Sequence, residues 1–360
     1  MKSAIARRML EDHAGIPAPS GFGFRIRSRI PLRFLRSGGG VETLEVAIAS
    51  EPRSRPATTP LVEWTFPGPG HEVRCSLYQT QRAFELWATD MGAFHIDPSA
   101  GRIEMAESHD ELLREQRMWG VPAALCCMHR GDLPLHAAAV EIESRAIVLA
   151  APRRHGKTTL ALAFQRHGYR VLTEDLACCS LAAAPSVFPG PPLLRVRPDV
   201  YHGQPPAGTH VVAARRHRVY LGVNDDCKGD SAPVPIAAVV FLRESADGIA
   251  LQPLPAAAAI PDLWALTFRL PTADGRARAF AQVTRLAGAC PLWNLYRPTR
   301  LDSLDETVAQ IVELSHRRPT VSAGCHTAAT PRFDWPTGPT RSPEAGNLHP
   351  RDGVDRAPTT

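Results

Sequence analysis

The sequence predicts an α/β fold with a strand–loop–helix core, preceded by a β-rich region. An apolar run, Ala146-Ile147-Val148-Leu149, leads into a loop that ends in Gly156-Lys157-Thr158. Strand and helix patterns alternate from residue 136 to residue 180, which is typical of helices packed on a central sheet. Residues 22 to about 105 instead show short strand patterns separated by glycine and proline clusters.

The composition is that of a globular protein. The 360 residues leave room for two domains, or for one domain with appendages, and 44% of them are hydrophobic against 21% charged. No apolar run approaches the ~20 residues of a membrane span, and the first residues lack the apolar core of a signal peptide, so we expect a cytoplasmic protein with no membrane span. A net charge of +5, carried by scattered arginines, predicts no nucleic-acid partner.

The chain divides into four predicted parts. Residues 1–20 form a flexible N-terminus, 21–107 a β-rich region, 108–317 the core domain, and 318–360 a disordered tail rich in proline and arginine. That tail has seven prolines, one leucine and no isoleucine. The candidate strands of the β-rich region are Phe22–Arg27, Thr43–Ala49, Leu61–Phe66, Glu72–Tyr78, Ala83–Ala88 and Gly92–Ile96.

Helical periodicity begins after the β-rich region. Ser108 is the expected N-cap of a helix that reaches Met128, and Pro122 predicts a kink or break within it. The core then predicts strands 137–143, 146–150 and 169–173 around a helix that ends at Gly168. Later predicted elements are a strand at 237–242 and helices near 260–268, 277–289 and 303–315.

The segment Ala150–Leu160 has the layout of a phosphate-binding P-loop, in which backbone N–H groups and a helix N-terminus converge on phosphates. Its lysine is one of only three among 41 basic residues, and lysine should persist where a compact point charge is required. Alanine stands at the opening glycine of G-x-x-x-x-G-K-[ST], which costs about 1 kcal/mol or more if that position needs a positive φ. The candidate nucleotide-binding residues are Ala151, Arg153, Arg154, His155, Gly156, Lys157, Thr158 and Thr159.

Two adjacent acids and a histidine are the other candidate site residues. Glu174 and Asp175 follow the strand after the P-loop helix, at the edge where α/β sheets bind ligands. One acid could bind Mg²⁺ and the other could accept a proton from an attacking hydroxyl, although the pair also suits an acidic helix start. His136 precedes the strand pair that leads to the P-loop, where it acts either in acid–base chemistry or in packing.

Weaker signals lie elsewhere. The turn Arg215–Arg218 supplies either a phosphate-stabilising arginine or a solvated basic surface, and Lys228 stands out only because lysine is rare. The Asp226–Gly229 segment fits D-x-x-G, but no N-K-x-D motif follows, which argues against a GTPase. The eight cysteines form no C-x-x-C pair, so we expect buried free thiols rather than a zinc site.

The segments 136–140, 150–160 and 168–175 together resemble the HPr serine kinase family, and more closely its bacterial relatives encoded near peptide natural-product and polysaccharide pathways. Residues 280–300 resemble the C-terminal segment of that family, so the resemblance covers about 108–315. It implies a P-loop core of the phosphoenolpyruvate-carboxykinase type, with ATP and Mg²⁺ as cofactors. The implied reaction is phosphoryl transfer to a serine or threonine hydroxyl of a peptide or protein.

The resemblance also implies residue roles. Lys157 and Thr158 take the phosphate and Mg²⁺ roles, while His136, Glu174 and Asp175 take the acid–base and metal roles, with the two carboxylates not assigned separately. The chain has no glycine-rich signature loop like that of true HPr kinases, so HPr itself is not the expected acceptor. Arg153 and Arg154 either add phosphate contacts or obstruct the pocket. The alternative function is therefore a nucleotide-binding accessory protein with a degenerate P-loop, and self-association is compatible with both readings.

Overall fold

The computed structural model describes residues 18–51, 53–68, 71–201, 203–224 and 231–316. The predictions made for residues 1–17, for Lys228 and for the tail from residue 317 onward lie outside these ranges. None of the described helices is both long enough and apolar enough to cross a membrane. The six described cysteines are buried and free, as expected.

The first part of the chain forms a nine-stranded sheet, here called the N-terminal sheet, in the order β3-β1-β2-β4-β9-β8-β7-β6-β5. The predicted strand Phe22–Arg27 is split, because Phe22 and Gly23 form a turn with φ values of 52° and 75°. A strand after the 98–101 turn was not predicted. The bounds are β1 Pro19–Gly21, β2 Phe24–Ser28, β3 Arg36–Ser37, β4 Glu42–Ile48, β5 Val62–Pro67, β6 Glu72–Gln79, β7 Phe84–Ala88, β8 Gly92–Asp97 and β9 Arg102–Met105.

Two helices pack against the N-terminal sheet, α1 (Glu111–Met118) and α2 (Val121–Arg130). The predicted break at Pro122 is confirmed, since this proline lies in the first turn of α2, where its missing N–H costs no hydrogen bond. The predicted cap was wrong: Asp110, not Ser108, accepts the hydrogen bond from the backbone N–H of Leu113, at 2.9 Å. The Ser108 hydroxyl instead accepts from the Asp110 N–H, at 3.1 Å, and so supports the capping turn.

The remaining elements form the core. Its strands are β10 Leu133–Leu135, β11 Ala137–Ile142, β12 Arg145–Ala150, β13 Arg170–Thr173, β14 Ala177–Ser180, β15 Ser186–Phe188, β16 Leu193–Val196, β17 Thr209–Arg215, β18 Arg218–Val223, β19 Val234–Glu244, β20 Ala250–Pro253 and β21 Leu292–Arg297. Its helices are α3 Lys157–Arg166, α4 Pro198–Tyr201, α5 Ala256–Leu266, α6 Ala273–Ala289 and α7 Leu304–His316, preceded by a 3-10 turn at Leu301–Ser303. Helix α3 and the turn at Gly168, with φ of 80°, match the sequence prediction.

The second nine-stranded sheet, the core sheet, has the order β10-β14-β15-β19-β12-β11-β13, with β21 paired to β19 and β20. Helices cover both of its faces, which explains the unbroken apolar run in β12. Ile147 and Leu149 pack toward α3 and α7, whereas Val148 and Ala150 pack toward α5 and α6. The fold is therefore a mixed α/β architecture with two large sheets.

A three-stranded antiparallel sheet, β16-β18-β17, completes the core and is here called the small sheet. Its inner side chains, including Leu194 and Leu221, are buried in the same cluster as α3. The small sheet thus covers the helix that follows the P-loop, and its outer side chains lie beside the end of β13. None of its three strands was predicted.

Candidate active site

Strand directions explain why the site residues meet at one edge of the core sheet. Strand β11 lies between β12 and β13 and is antiparallel to both, so β12 and β13 run in the same direction. The P-loop after β12 and the acids after β13 therefore emerge at one edge. His136, which immediately precedes β11, lies at the same edge because β11 begins there.

The P-loop backbone places its unusual conformations at two positions, and Ala151 is neither of them. Arg154 and Gly156 have φ values of 67° and 79°, whereas Ala151 is not among the described residues with positive φ. The alanine in place of the opening glycine is thus unstrained, and it is buried against the core. The penalty considered for this substitution does not arise.

Gly156 is required for a second reason besides its φ. A Cβ at this position would lie 2.4 Å from the guanidinium Nη2 of Arg297. Arg297 is buried behind the loop and donates to the His155 carbonyl oxygen at 3.0 Å. This contact supports the loop from behind and leaves no room for a side chain at Gly156.

Lys157 is buried and turned back onto its own loop. Its Nζ lies 2.8 Å from the Ala151 carbonyl oxygen, 3.0 Å from that of Pro152 and 3.0 Å from Nε2 of His136. Burial lowers the pKa of Lys157 from 10.5 to about 8, although Asp175 and Glu174 act in the opposite direction. An ammonium held in this way is poised for a stronger anionic partner.

Glu174 lies between the P-loop helix and the small sheet. Its Oε1 accepts a hydrogen bond from the Thr158 hydroxyl at 2.6 Å, and its Oε2 accepts from Nε of Arg195 at 2.9 Å. The backbone N–H of Arg195 also donates to Oε2, at 3.2 Å. Glu174 is buried, so this carboxylate is a fixed part of the site.

Asp175 differs from its neighbour because half of its side chain is exposed. Its Oδ2 lies 2.8 Å from Nη2 of Arg195, and its Oδ1 lies 3.4 Å from Nδ1 of His136. Burial alone would raise the pKa of Asp175, but the positive charges of Arg195, His136 and Lys157 outweigh it and hold that pKa below the usual value. Asp175 is therefore an ionised carboxylate open to solvent.

Five predicted residues therefore form one connected network: His136, Lys157, Thr158, Glu174 and Asp175. The other predicted P-loop residues stand apart from it. Arg153 and Arg154 are exposed, and the Arg153 guanidinium lies 5.8 Å from the ring centre of Phe66 in β5. His155 and Thr159 are partly buried, and the His155 ring contacts the Arg153 carbonyl oxygen at 2.9 Å.

Sequence reasoning missed two arginines of this site, Arg195 and Arg297. Arg195 joins both carboxylates, whose negative charges raise its pKa above the usual value although burial works against this. The sequence held no signal for either residue, since arginine is the common cation of this chain. In the basic turn, Arg215 does not face the site but pairs with Asp110, at 2.6 Å.

A second cluster, Cys127, Asp132 and Cys178, has potential metal-ligand atoms within 4.8 Å of one another. A cation is already there, because Nε of Arg130 donates to the Asp132 carboxylate at 2.6 Å. Burial raises the pKa of Cys178 and of Asp132, which favours their neutral forms over the anions that a metal ion requires. The cluster is better explained as a buried ion pair with two thiols.

The comparisons with known proteins add little to this geometry. No family model matches the chain, and no curated protein matches it. Among solved structures it is similar to the Hpr(Ser) kinase/phosphatase from Coxiella burnetii, with 10% identity over 50% of this chain and 96% of that one. The TM-score of 0.27 is too low for this likeness to support a shared fold, so the proposal below depends on the site itself.

Proposed function

We propose that this protein is an ATP-dependent kinase that transfers a phosphoryl group to a serine or threonine hydroxyl of a peptide or protein. The observation that carries the proposal is the direct connection of Lys157 and Thr158, on the strand–loop–helix segment, to His136, Glu174 and Asp175. A phosphate-binding element and an ionised acid thus share one solvent-facing edge.

The residues fit a nucleotide phosphate. Helix α3 begins at Lys157 with no side chain capping its N-terminus, so its first N–H groups remain available to an anion. The carbonyl oxygens that hold the Lys157 ammonium are neutral acceptors, and hydrogen bonds to an anionic phosphate are stronger. Lys157 would therefore exchange carbonyl oxygens for phosphate oxygens.

The residues also fit Mg²⁺. The Thr158 hydroxyl and the Glu174 carboxylate, 2.6 Å apart, are oxygen donors of the kind that this ion prefers. Bound between them and the phosphates, Mg²⁺ would neutralise charge on the transferring group. Arg195 holds Glu174 in place, so the position of this carboxylate does not depend on the ion.

Asp175 is the group best placed to meet the acceptor hydroxyl, because it is exposed and ionised. A carboxylate with a lowered pKa is a weak base, so its main work is to orient the hydroxyl rather than to remove its proton early. The Lys157 ammonium donates to Nε2 of His136, which places the imidazole proton on Nδ1, facing Asp175. His136 thus positions the carboxylate.

Calorimetry with ATP and Mg²⁺ tests this proposal, using wild type and Lys157→Ala with GTP as the control nucleotide. A phosphoryl-transfer assay on a mixture of serine- and threonine-containing peptides completes the test. We expect ATP binding and transfer in wild type and loss of both in the variant. ATP binding without transfer to any peptide would favour the accessory function, and normal turnover by Lys157→Ala would overturn the proposal.

A further inference from the structure

We propose that the acceptor presents an acidic peptide segment, which binds to arginines on the outer face of the small sheet beside Asp175. This inference rests on the proposed function and specifies its substrate class. The arginine face, as we call it, consists of Arg195, Arg197 and Arg218, together with Arg215 at the hairpin end.

The strand register places these side chains on one face. Arg195 in β16 is opposite Tyr220 in β18, and Arg218 precedes Tyr220 by two residues, so both arginines point to the same side. Arg215 is directly opposite Arg218. The intervening residues, among them Val196 and Val219, point the other way into the core.

The arginines of this face differ in how they are neutralised. Arg195 binds both site carboxylates, Arg197 pairs with Asp199 at the exposed surface, and Arg215 pairs with Asp110. For Arg218, the hydrogen bond found among the described residues goes to the carbonyl oxygen of its own neighbour His217, at 3.0 Å. Arg218 is exposed and forms no ion pair within the described part of the chain.

This arrangement is unfavourable without an anion. Like charges directly opposite each other in a sheet repel, and Arg218 is opposite Arg215. Burial and then the charges of Arg195 and Arg197 lower the pKa of Arg218 from its usual value, which reflects the same crowding of cations. A carboxylate from a partner would relieve this repulsion and provide the bidentate acceptor that a guanidinium prefers.

The arginine face lies on the acceptor side of the site rather than on the nucleotide side. Arg195 contacts both acids from the small sheet, whereas Lys157 reaches the site from the P-loop. The charges that act most on Arg218 are those of Arg195, Glu174 and Arg197, and those that act on Lys157 include Arg153. An acidic segment on this face would thus deliver its hydroxyl to Asp175 opposite the bound nucleotide.

The face fits a peptide better than a nucleic acid. Recognition of single-stranded nucleic acid normally uses exposed aromatic rings on which bases stack. The aromatic residue here, Tyr220, is 6% exposed, and its hydroxyl donates to the Gln116 side chain at 3.2 Å. The Arg215 guanidinium covers its ring at 5.6 Å, so Tyr220 offers no stacking surface.

Fluorescence anisotropy on the full, nucleotide-free chain provides the test. The probes are a fluorescein-labelled peptide with a central serine flanked by glutamates and aspartates, and the same peptide with glutamines and asparagines. Arg218→Glu is compared with Arg82→Glu, which makes the same charge change at an exposed turn between β6 and β7. We expect wild type and Arg82→Glu to bind the acidic peptide alike, and Arg218→Glu to bind it at least about tenfold more weakly.

Three outcomes would overturn the inference: equal affinity for the acidic and the neutral peptide, equal weakening by the two variants, or tighter binding of an oligoribonucleotide of similar length. Arg218→Gln, which keeps a polar side chain, should weaken acidic binding less than Arg218→Glu and shows that the effect follows charge rather than unfolding. ATP calorimetry on the same proteins separates the two proposals. Loss of peptide binding with ATP binding retained concerns the arginine face alone, whereas absence of ATP binding in wild type concerns the kinase proposal.

Discussion

The N-terminal sheet and the core sheet each contain nine strands, yet they use their charged residues differently. In the N-terminal sheet, charges pair across strands, as Arg53 does with Glu85 and Glu104, and so neutralise one another on the surface. In the core sheet, polar residues follow strand ends and converge at one edge. The difference shows that strands running in the same direction, rather than sheet size or charge content, create this candidate site.

The largest effect that this comparison predicts follows from removing one carboxylate charge. Asp175→Asn should lower the rate of phosphoryl transfer about a thousandfold, because a neutral amide cannot orient the acceptor hydroxyl as an ionised carboxylate does. ATP affinity should change little, since Glu174 and Thr158 remain. Glu45→Gln, which removes an exposed acid of the N-terminal sheet paired with Arg102, is the control and should leave the rate unchanged. Equal loss in both variants would contradict the contrast between the sheets.

A smaller effect is expected from adding one methyl group to a left-handed glycine in each region. Gly156→Ala combines a φ of 79° with a Cβ placed 2.4 Å from Arg297, so we expect ATP affinity to fall about a hundredfold in calorimetry. Gly92→Ala has nearly the same φ, 77°, but its Cβ would lie 3.3 Å from that of Ala106 in the N-terminal sheet. It should cost about 1 kcal/mol of unfolding free energy and leave ATP affinity intact. A similar loss of ATP affinity in both would mean that general strain, not the loop, is responsible.

The smallest effect concerns the ion pair between Asp110, the cap of α1, and Arg215 of the small sheet. The hydrogen bond from Arg215 holds the pKa of Asp110 below its usual 3.8, so the charge pair stabilises the fold above that pH and its contribution is lost as the pH falls further. Asn is an equally good cap, so Asp110→Asn removes the charge alone. The variant should lose about 0.5 kcal/mol of unfolding free energy near pH 7 and almost nothing near about pH 3. A pH-independent loss would assign the effect to the cap instead.

The sequence predicted the elements around β11, β12, α3 and β13 well, because an apolar run, a Gly-Lys-Thr loop and a glycine stop are local signals. The meeting of His136 with Asp175 followed from strand order. Arg195 was not predictable, since one arginine among many carries no mark and the register of the small sheet is not local information. Likewise only backbone geometry could show that Ala151 is unstrained and that Arg154 holds the left-handed position.

Arg36 of the N-terminal sheet is 2% exposed and reaches across to β13, where its guanidinium donates to the carbonyl oxygens of Val171 at 2.8 Å, Leu172 at 3.0 Å and Gly190 at 2.7 Å. These acceptors lie in the strand that carries Glu174 and Asp175, or beside it. A fragment beginning near residue 108 would lose this cation and leave those oxygens without their donor. The two halves of the molecule are thus interdependent, and a change of sequence in the first half reaches the carboxylates through a single shared side chain.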